Sequence, residues 1–444
     1  MTKYDLTEGK PLKRILLFTL PLLIGNLFQQ LYSMVDTVIV GRTISAAALA
    51  GVGATASLTV LVIGFAQGLT IGFSVLTSQF CGAKKQEEMR RSVAVSYKLC
   101  LYFSVVITVA AVLSAMPLLQ LMQTPVTIRD YSRAYITTIF WGLSATIFYN
   151  MVSAQLRAVG DARTPLYFLI VAALLNVGLD FLFIQGFQMG VAGAGWATVI
   201  SQALAGAGSF IVLLRKFPEL RPRWRDLRWD LRFSWRLIAL GLPMALQTSV
   251  IAVGSIAVQT AFNRLGDLAV SVHTIGGKID NLAVQGMTAV GGALAPYCGQ
   301  NYGAGRFDNI RTGMRQSLLL CCGYALLCLG MVPLAKPLTY LFISAEEITP
   351  ELIRRIRQFV LTQTAFFIPL AAICCCRNAM QGMGRSVSCM IGGGIELGMR
   401  IITCLVLAEA FGFNGVCFSS PLAWTGAGAY CLVSYLRLIR KKLK

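Results

Sequence analysis

The chain has 444 residues, of which 56% are hydrophobic and only 13% are charged. Soluble domains carry charge on about 25% of their residues, so this composition excludes a disordered chain, a coiled coil and an ordinary soluble enzyme. The formal net charge is +20, which in a soluble protein would suggest nucleic-acid binding. Here the basic residues lie between long apolar runs, which favours a membrane protein.

Charge-poor runs follow one another along the whole chain, and each is long enough to cross a bilayer as a helix. They are continuously apolar rather than alternating, which is typical of helices and not of a barrel. The first run is too long for a cleavable signal, so we interpret it as a permanent span. The predicted spans are 13–40, 46–79, 92–117, 131–156, 164–185, 191–214, 237–263, 268–297, 313–334, 357–381, 387–409 and 415–436.

Basic residues concentrate in alternate loops, on the side of the membrane that also holds both ends of the chain. The positive-inside rule therefore places both termini in the cytoplasm, which requires an even number of spans and agrees with twelve. The sequence predicts an all-α, multi-pass protein of the cytoplasmic membrane.

The longest basic loop, residues 215–236, alternates arginines with Trp224, Trp229 and Trp235. A nucleic-acid contact is one interpretation. We favour an amphipathic linker on the anionic inner leaflet, with the tryptophans at headgroup depth. The linker separates an N-terminal six-helix lobe, 1–214, from a C-terminal six-helix lobe, 237–444.

The two predicted lobes repeat each other. Pro21 recurs as Pro243, QFCGAKKQEEMR from Gln79 matches QNYGAGRFDNIR from Gln300, and LRAVGDARTP from Leu156 echoes MQGMGRSVSC further on. Each lobe has an even number of spans, so both enter the membrane from the same side. We therefore expect two pseudo-symmetric lobes related by an axis along the membrane normal, with a central cleft.

The 13 cysteines and the single histidine, His273, do not suggest a metal or redox centre. Most cysteines lie inside apolar runs, and none forms a paired CxxC spacing. We interpret them as small buried hydrophobes and predict no metal site and no organic cofactor.

Ionisable residues inside the predicted spans are the informative exceptions, because each costs about 2.5–3.5 kcal/mol at a helix centre. Asp36 ends a polar stripe on the first helix, with steps of three and four residues that place its members on one face. We expect this face to line an aqueous cavity. The stripe comprises Asn26, Gln29, Gln30, Ser33, Asp36 and Thr37.

Asp36 and Asp180 are predicted at the same depth, in the outer half of the first lobe, and Asn176 precedes Asp180 by one helical turn. Lys98 is the single cation placed within the spans of this lobe. Two acids with so few cations are expected to share a proton or bind a cation. The alternative is that both merely reach the outer interface or pair with a stray base. No motif completes an enzyme active site around them.

The second lobe carries Lys278 and Asp280 on the eighth helix, and Glu396 and Arg400 on the eleventh. Unpaired charges in lipid are costly, so we predict that Lys278 and Glu396 lie in one polar cluster with Asp280 or Arg400. An internally paired cluster is one interpretation, and a second substrate or proton site is the other.

Several segments together resemble the MATE family of multidrug and toxic compound extrusion transporters, over essentially the whole chain. They are LPLLIGNLFQQLYSMVDTVIVGR, QFCGA, QNYGA, LRAVGD and MGVAGAGWATVISQ. The seventh helix lacks the acid typical of the NorM-like branch, so the chain is more similar to the DinF-like branch. Val258 occupies the position that matches Asp36 in the repeat, and Gln259 beside it is expected to line the cavity.

The resemblance implies twelve helices in two lobes and export of amphipathic, often cationic, small molecules by alternating access. It implies coupling to protons or sodium ions at a site that maps onto Asp36, Asn176, Asp180 and Thr198, with bending of the first helix at Pro21. We expect a monomer that contacts lipid and small-molecule substrates and no nucleic acid. A lipid-linked oligosaccharide or lipid flippase of the same superfamily is the alternative, although its pyrophosphate cargo would favour more in-span cations.

Overall fold

The computed structural model of the chain describes residues 5–122, 124–227, 230–340, 342–343 and 348–443. Within these residues the protein forms sixteen α-helices and no strand. The helices are α1 (Pro11–Thr43), α2 (Ala46–Ala54), α3 (Ala56–Gly82), α4 (Gln86–Leu121), α5 (Val126–Trp141), α6 (Leu143–Ala158), α7 (Arg163–Phe181), α8 (Gly190–Lys216), α9 (Leu231–Asn263), α10 (Asp267–Gly303), α11 (Phe307–Cys328), α12 (Met331–Thr339), α13 (Pro350–Ala365), α14 (Phe367–Gly382), α15 (Ser386–Cys417) and α16 (Ser419–Leu443).

Four pairs of neighbouring helices include a helix of at most 16 residues and are interpreted as broken spans: α2 with α3, α5 with α6, α11 with α12, and α13 with α14. Joining these pairs leaves twelve segments, and each predicted span overlaps one of them. On length and composition, seven helices of the described residues can cross a membrane, or nine if two bent pairs count as single spans. The α11–α12 pair bends by 57° and the α13–α14 pair by 46°. The predicted all-α membrane fold is confirmed.

The repeated motifs form the same local turn in both halves of the chain. Helix α3 ends at Gly82 and is followed by Lys84 with φ 57°, while α10 ends at Gly303 and is followed by Gly305 with φ 71°. A left-handed residue after a helix lets the chain reverse into the next helix. Glycine adopts this conformation without strain, whereas Lys84 does so at some cost.

The chain forms two compact units. The first contains residues 24–246, and the second contains 6–23 together with 247–443. These boundaries differ from the predicted 1–214, 215–236 and 237–444. The first part of α1 belongs to the second unit, and the first part of α9 and the linker belong to the first.

Packing of small residues explains why the start of α9 belongs to the first unit. A Cβ atom at Gly72 of α3 would lie 2.3 Å from the Cα of Gly241 in α9, and one at Gly68 would lie 2.6 Å from the Cα of Ala245. The two backbones are therefore closer than any side chain permits. Hydropathy along the sequence carries no information about such a contact.

The start of α1 is held in the second unit by the QNYGAGR motif. The backbone N–H of Leu6 donates to Oε1 of Gln300 at 3.0 Å, and Nδ2 of Asn301 donates to the carbonyl of Leu6 at 3.1 Å. Nη1 of Arg306 donates to the carbonyl of Thr7 at 2.5 Å. Because Leu6 and Thr7 are both buried, these bonds fix the chain immediately before α1.

The basic linker is tied to the protein through its acids. Nε of Arg90, in the first turns of α4, donates to Oδ2 of Asp226 at 2.6 Å, and Arg91 pairs with Asp230. Arg90 and Asp226 are only 11% and 9% exposed. Trp235 is exposed, and Trp229 lies outside the described residues. Contact between the linker and the inner leaflet stays a prediction.

Side-chain burial is typical of a protein that faces lipid. Large apolar residues on the outside of the helices are widely exposed, among them Leu113, Leu121 and Leu327. Most of the cysteines are buried, as predicted, and all thirteen are free thiols. An exposed apolar surface of this extent requires a membrane to cover it.

Candidate functional site

The predicted first-lobe site lies within the first unit, where α1, α7 and α8 supply its residues. Asp36 of α1 is 8% exposed, and Asn176 and Asp180 of α7 are both 0% exposed. Asp180 lies two residues before a π-helical turn, Leu182–Gly186, that follows α7. Such wide turns inside helices occur frequently at functional sites.

The carboxyl groups of Asp36 and Asp180 lie close enough to interact directly. Two ionised carboxylates at such close range repel each other, and a proton shared between them removes the repulsion. Oδ1 of each carboxyl is buried and has no partner among the described residues. The pair therefore has free acceptor capacity for a cation.

Asn176 links this pair to α8. The side-chain amide of Asn176 is oriented so that its Nδ2 donates to Oδ2 of Asp180 at 3.2 Å and its Oδ1 accepts from the backbone N–H of Thr198 at 3.1 Å. Oγ1 of Thr198 donates to the carbonyl of Ala194 at 3.1 Å. The structure thus brings Asp36, Asp180, Asn176 and Thr198 together in one buried polar pocket.

Two tyrosines complete the pocket, and the sequence analysis missed both. The hydroxyl of Tyr32 is 3.5 Å from Oγ1 of Thr198, and Tyr135 of α5 interacts electrostatically with both carboxyl groups. Tyr32 precedes Asp36 by four residues and so shares its helix face. This four-residue spacing is the sequence signal that points to Tyr32 as a site residue.

None of the ion pairs formed by the described residues involves Asp36 or Asp180. Lys98 donates to the backbone carbonyl of Asp226 at 3.4 Å, on the linker. The ion pairs of the described residues therefore supply no lysine or arginine that pairs with either acid of the pocket.

The predicted polar stripe of α1 divides into two faces. Asp36 is buried, whereas Gln29, Gln30, Ser33 and Thr37 are exposed and Asn26 is half-buried. Around a helix, Tyr32 and Asp36 lie together, and most of the other stripe residues are rotated by roughly a quarter turn. Gln259 of α9 is half-buried, and its Nε2 donates to Oδ1 of Asn263 at 2.9 Å. That these residues line an aqueous cavity stays a prediction.

Pro21 is buried inside α1, and the helix continues through it without a break. Proline has no N–H, so the carbonyl four residues earlier loses its helical hydrogen bond. The division between the two units falls just after it, between residues 23 and 24. The position suits a bend.

The structure forms only part of the predicted second-lobe cluster: Glu396 and Arg400 pair, whereas Lys278 lies elsewhere. Glu396 and Arg400 of α15 are buried and paired, with Nη2 of Arg400 2.8 Å from Oε1 of Glu396. Lys278 of α10 is instead exposed, with its ammonium group 5.1 Å from the ring centre of Phe342. Oδ1 of Asp280 is buried without a partner among the described residues.

Helix geometry explains the error. Lys278 and Asp280 are two residues apart on α10, so they point to different faces and cannot join one cluster. Arg377 was not among the predicted cluster residues, although it lies inside the predicted span 357–381. In the structure it belongs to α14, and its Nη1 is 3.7 Å from Oε2 of Glu396.

Known proteins resemble the chain in sequence and in fold. The MatE family model matches residues 21–182 and 243–406, one segment in each half of the repeat. The chain is 31% identical over 311 residues to the probable multidrug resistance protein YpnP of Bacillus subtilis (strain 168), which covers 69% of this chain and 68% of the relative. It is 28% identical over 315 residues to the probable multidrug resistance protein YoeA of the same organism, covering 68% and 67%.

Among solved structures, the outward-facing conformation of a multidrug resistance MATE family transporter of the MOP superfamily superposes with a TM-score of 0.92. It covers 100% of this chain and 99% of that one at 21% sequence identity. At this identity the likeness shows the fold.

Proposed function

The chain belongs to the MATE family of membrane transporters, and from this membership we propose that it is a cation-coupled multidrug antiporter. It exports amphipathic, cationic small molecules and takes up protons or sodium ions in exchange. The relatives named as multidrug resistance proteins support the substrate class. The proposal includes the DinF-like branch, a place in the cytoplasmic membrane and both termini in the cytoplasm.

The observation that carries the coupling is the buried carboxyl pair of Asp36 and Asp180, which has no basic partner among the ion pairs of the described residues. Such a pair is unstable with two negative charges and is relieved by one proton or one metal cation. A site that must exchange a cation to change its charge is suited to couple an ion gradient to another movement.

The cycle follows from the charge of this pocket. When the site faces outward, a cation enters and neutralises the carboxyl pair. Neutralisation removes the cost of excluding water from two charged groups, so α1 can bend at Pro21 and the drug site can lose volume. The cationic drug is released because its site has lost both space and charge complementarity. When the site faces inward, the cation leaves to the cytoplasm and a new drug molecule binds.

The two coupling ions make different demands on the pocket. Sodium requires several oxygen ligands at once, and the two unpartnered Oδ1 atoms together with Asn176 and Thr198 offer them. A proton requires only the two neighbouring carboxyl groups, which can share it. The transport experiment therefore includes both a proton gradient and a sodium gradient.

Transport of a fluorescent cation by the purified protein in liposomes tests the proposal. Efflux is measured under a pH gradient alone, under a sodium gradient alone and with neither. Accumulation of the fluorescent cation against its own concentration gradient, under either the pH gradient or the sodium gradient, supports a coupled antiporter and identifies the ion. Flux that only dissipates the drug gradient, equal in all three conditions, would indicate a channel and contradict the proposal.

A further inference from the structure

The second unit contains a buried group of charges of its own, and the proposed coupling cycle does not use it. Glu396 and Arg400 lie on α15, Arg377 on α14 and Ser255 on α9. Glu396 is the eleventh residue of α15, which places it about 15 Å along the helix and inside the span. We refer to these four residues as the arginine cluster.

The charges of the arginine cluster do not balance. Two guanidinium groups face one carboxylate, with Nη2 of Arg400 2.8 Å from Oε1 of Glu396 and Nη1 of Arg377 3.7 Å from Oε2. Among the ion pairs of the described residues, Glu396 is the only acid that pairs with either arginine. One positive charge therefore remains uncompensated within a span, where charge is costly.

Both arginines also retain unused donors. Nη1 of Arg400 donates to Oγ of Ser255 at 3.1 Å, but its Nε is buried without a partner among the described residues, in a side chain only 8% exposed. The 3.7 Å contact of Arg377 is too long for a hydrogen bond. A guanidinium group has five N–H donors that match a carboxylate or phosphate, so this arrangement has room for one more acceptor.

The neighbouring helix leaves space for Arg400. A Cβ atom at Gly254 of α9 would lie 3.1 Å from Cδ and 3.4 Å from Nη1 of Arg400. A larger residue would press on the guanidinium group and displace it. A purely structural ion pair would need only one arginine, whereas Arg377 is a second one, 21% exposed and so accessible to a ligand.

We propose that Arg377 and Arg400 bind the anionic group, a carboxylate or a phosphate, of a transported molecule. Glu396 holds the two guanidinium groups in place until that anion arrives. The inference rests on the proposed transport function and refines its substrate class. The substrates then include amphipathic molecules that carry an anionic group, zwitterions among them, as well as simple cations.

Binding of two matched dyes to the purified full-length protein tests this site. Tetramethylrhodamine carries a free carboxylate, and its methyl ester has the same fluorophore without that charge. Fluorescence anisotropy gives the Kd of each. We expect the wild-type protein to bind the carboxylate form at least tenfold more tightly than the ester.

Two variants and one control locate the preference. Arg377→Gln is expected to reduce the carboxylate preference about tenfold. The double variant Glu396→Gln/Arg400→Gln removes both charges of the buried pair and is expected to reduce the preference at least as far. Ester binding is expected to stay within twofold of wild type in both. Arg355→Gln serves as the matched control. Arg355 also belongs to this unit and pairs with a carboxylate, that of Glu351, but its side chain is 33% exposed and lies outside the arginine cluster.

Equal binding of both dyes by wild type, or a preference that survives in both variants, would overturn the inference. A preference that chloride at millimolar concentration removes would show an inorganic anion site and overturn the substrate assignment. Efflux of the ester dye under an ion gradient is measured in parallel. If the ester is exported and the carboxylate preference is absent, the inference fails while the proposed function stands; if neither dye is exported, the proposed function fails.

Discussion

Replacing either acid of the pocket by asparagine is expected to uncouple transport from the ion gradient. In Asp180→Asn, the amide takes the place of the protonated carboxyl and donates to Asp36. The pair then holds a stable hydrogen bond without taking up a cation. Asp36→Asn has the same effect with the roles exchanged. Both substitutions preserve volume, so the protein is expected to fold and insert normally.

The size of the effect follows from the number of carboxyl groups. A gradient of one pH unit stores about 1.4 kcal/mol per proton. One proton exchanged per cationic drug, at zero membrane potential, supports a drug concentration ratio of about 10. Two protons, the most that two carboxyl groups can hold, support a ratio of about 100. Either variant is expected to reach a ratio of about 1.

The assay uses liposomes with one unit of pH gradient and the potential held at zero by potassium and valinomycin, followed by parallel measurements under a sodium gradient. Asp130→Asn is the control, because Asp130 is an exposed acid on α5 of the same unit. It is expected to reach the wild-type ratio. Wild-type ratios in both pocket variants would refute the reasoning and place the coupling site elsewhere.

Three further predictions concern the walls of the pocket and the packing of the first unit. Asn176→Leu removes the 3.2 Å donor to Asp180 and is expected to lower the gradient-driven initial rate of efflux at least tenfold, since hydrogen bonds to charged groups contribute about 1.5–3 kcal/mol. Tyr32→Phe removes only a 3.5 Å contact, and its initial rate should stay within about threefold of wild type. A larger loss in Tyr32→Phe than in Asn176→Leu would contradict the assigned contacts. Gly72→Ala forces α3 away from α9 and is expected to lower the free energy of unfolding by about 1–3 kcal/mol and the melting temperature by several degrees. Gly53→Ala should be neutral, because a Cβ atom there would have no atom within 4 Å. Equal melting temperatures of the two variants would refute the close approach of α3 and α9. Asp226→Asn breaks the buried pair with Arg90 and is expected to speed tryptic cleavage within 215–236 severalfold, relative to the control variant Asp308→Asn. Equal cleavage rates in the two variants would show that the pair does not hold the linker.

Hydropathy predicted the helices well because a span must be long and apolar whatever its neighbours are. The predicted ends fell mostly inside the real helices, since the helices continue past the apolar part into the interfaces. The repeat of the motifs around Gly82 and Gly303 was also visible, and the structure forms the same turn after both residues. The exchange of the first parts of α1 and α9 between units was not, because it depends on contacts such as Gly72 with Gly241.

The same distinction between local sequence and contacts with other helices applies to the candidate sites. Asp36, Asn176, Asp180 and Thr198 were predicted together from depth, spacing and family resemblance, and the structure places them in one pocket. In the second unit, Arg377 was not predicted to join the cluster, because its contact with Glu396 depends on how α14 packs against α15. Depth alone also grouped Lys278 with Glu396, although rotation around α10 directs Lys278 elsewhere. Depth can be read from a sequence, but the angular position of a side chain against neighbouring helices requires the fold.

Displacement of the bound cation by drug tests the central claim most directly. Purified protein in weakly buffered detergent is titrated with a cationic drug, and released protons are followed with a pH indicator while released sodium is followed with radiolabelled sodium. Thermodynamic linkage requires that, if the bound cation lowers the affinity for the drug, the drug lowers the affinity for the cation by the same factor. The account predicts release of one or two cations per drug molecule from wild type and none from Asp180→Asn; equal release from both proteins would contradict it.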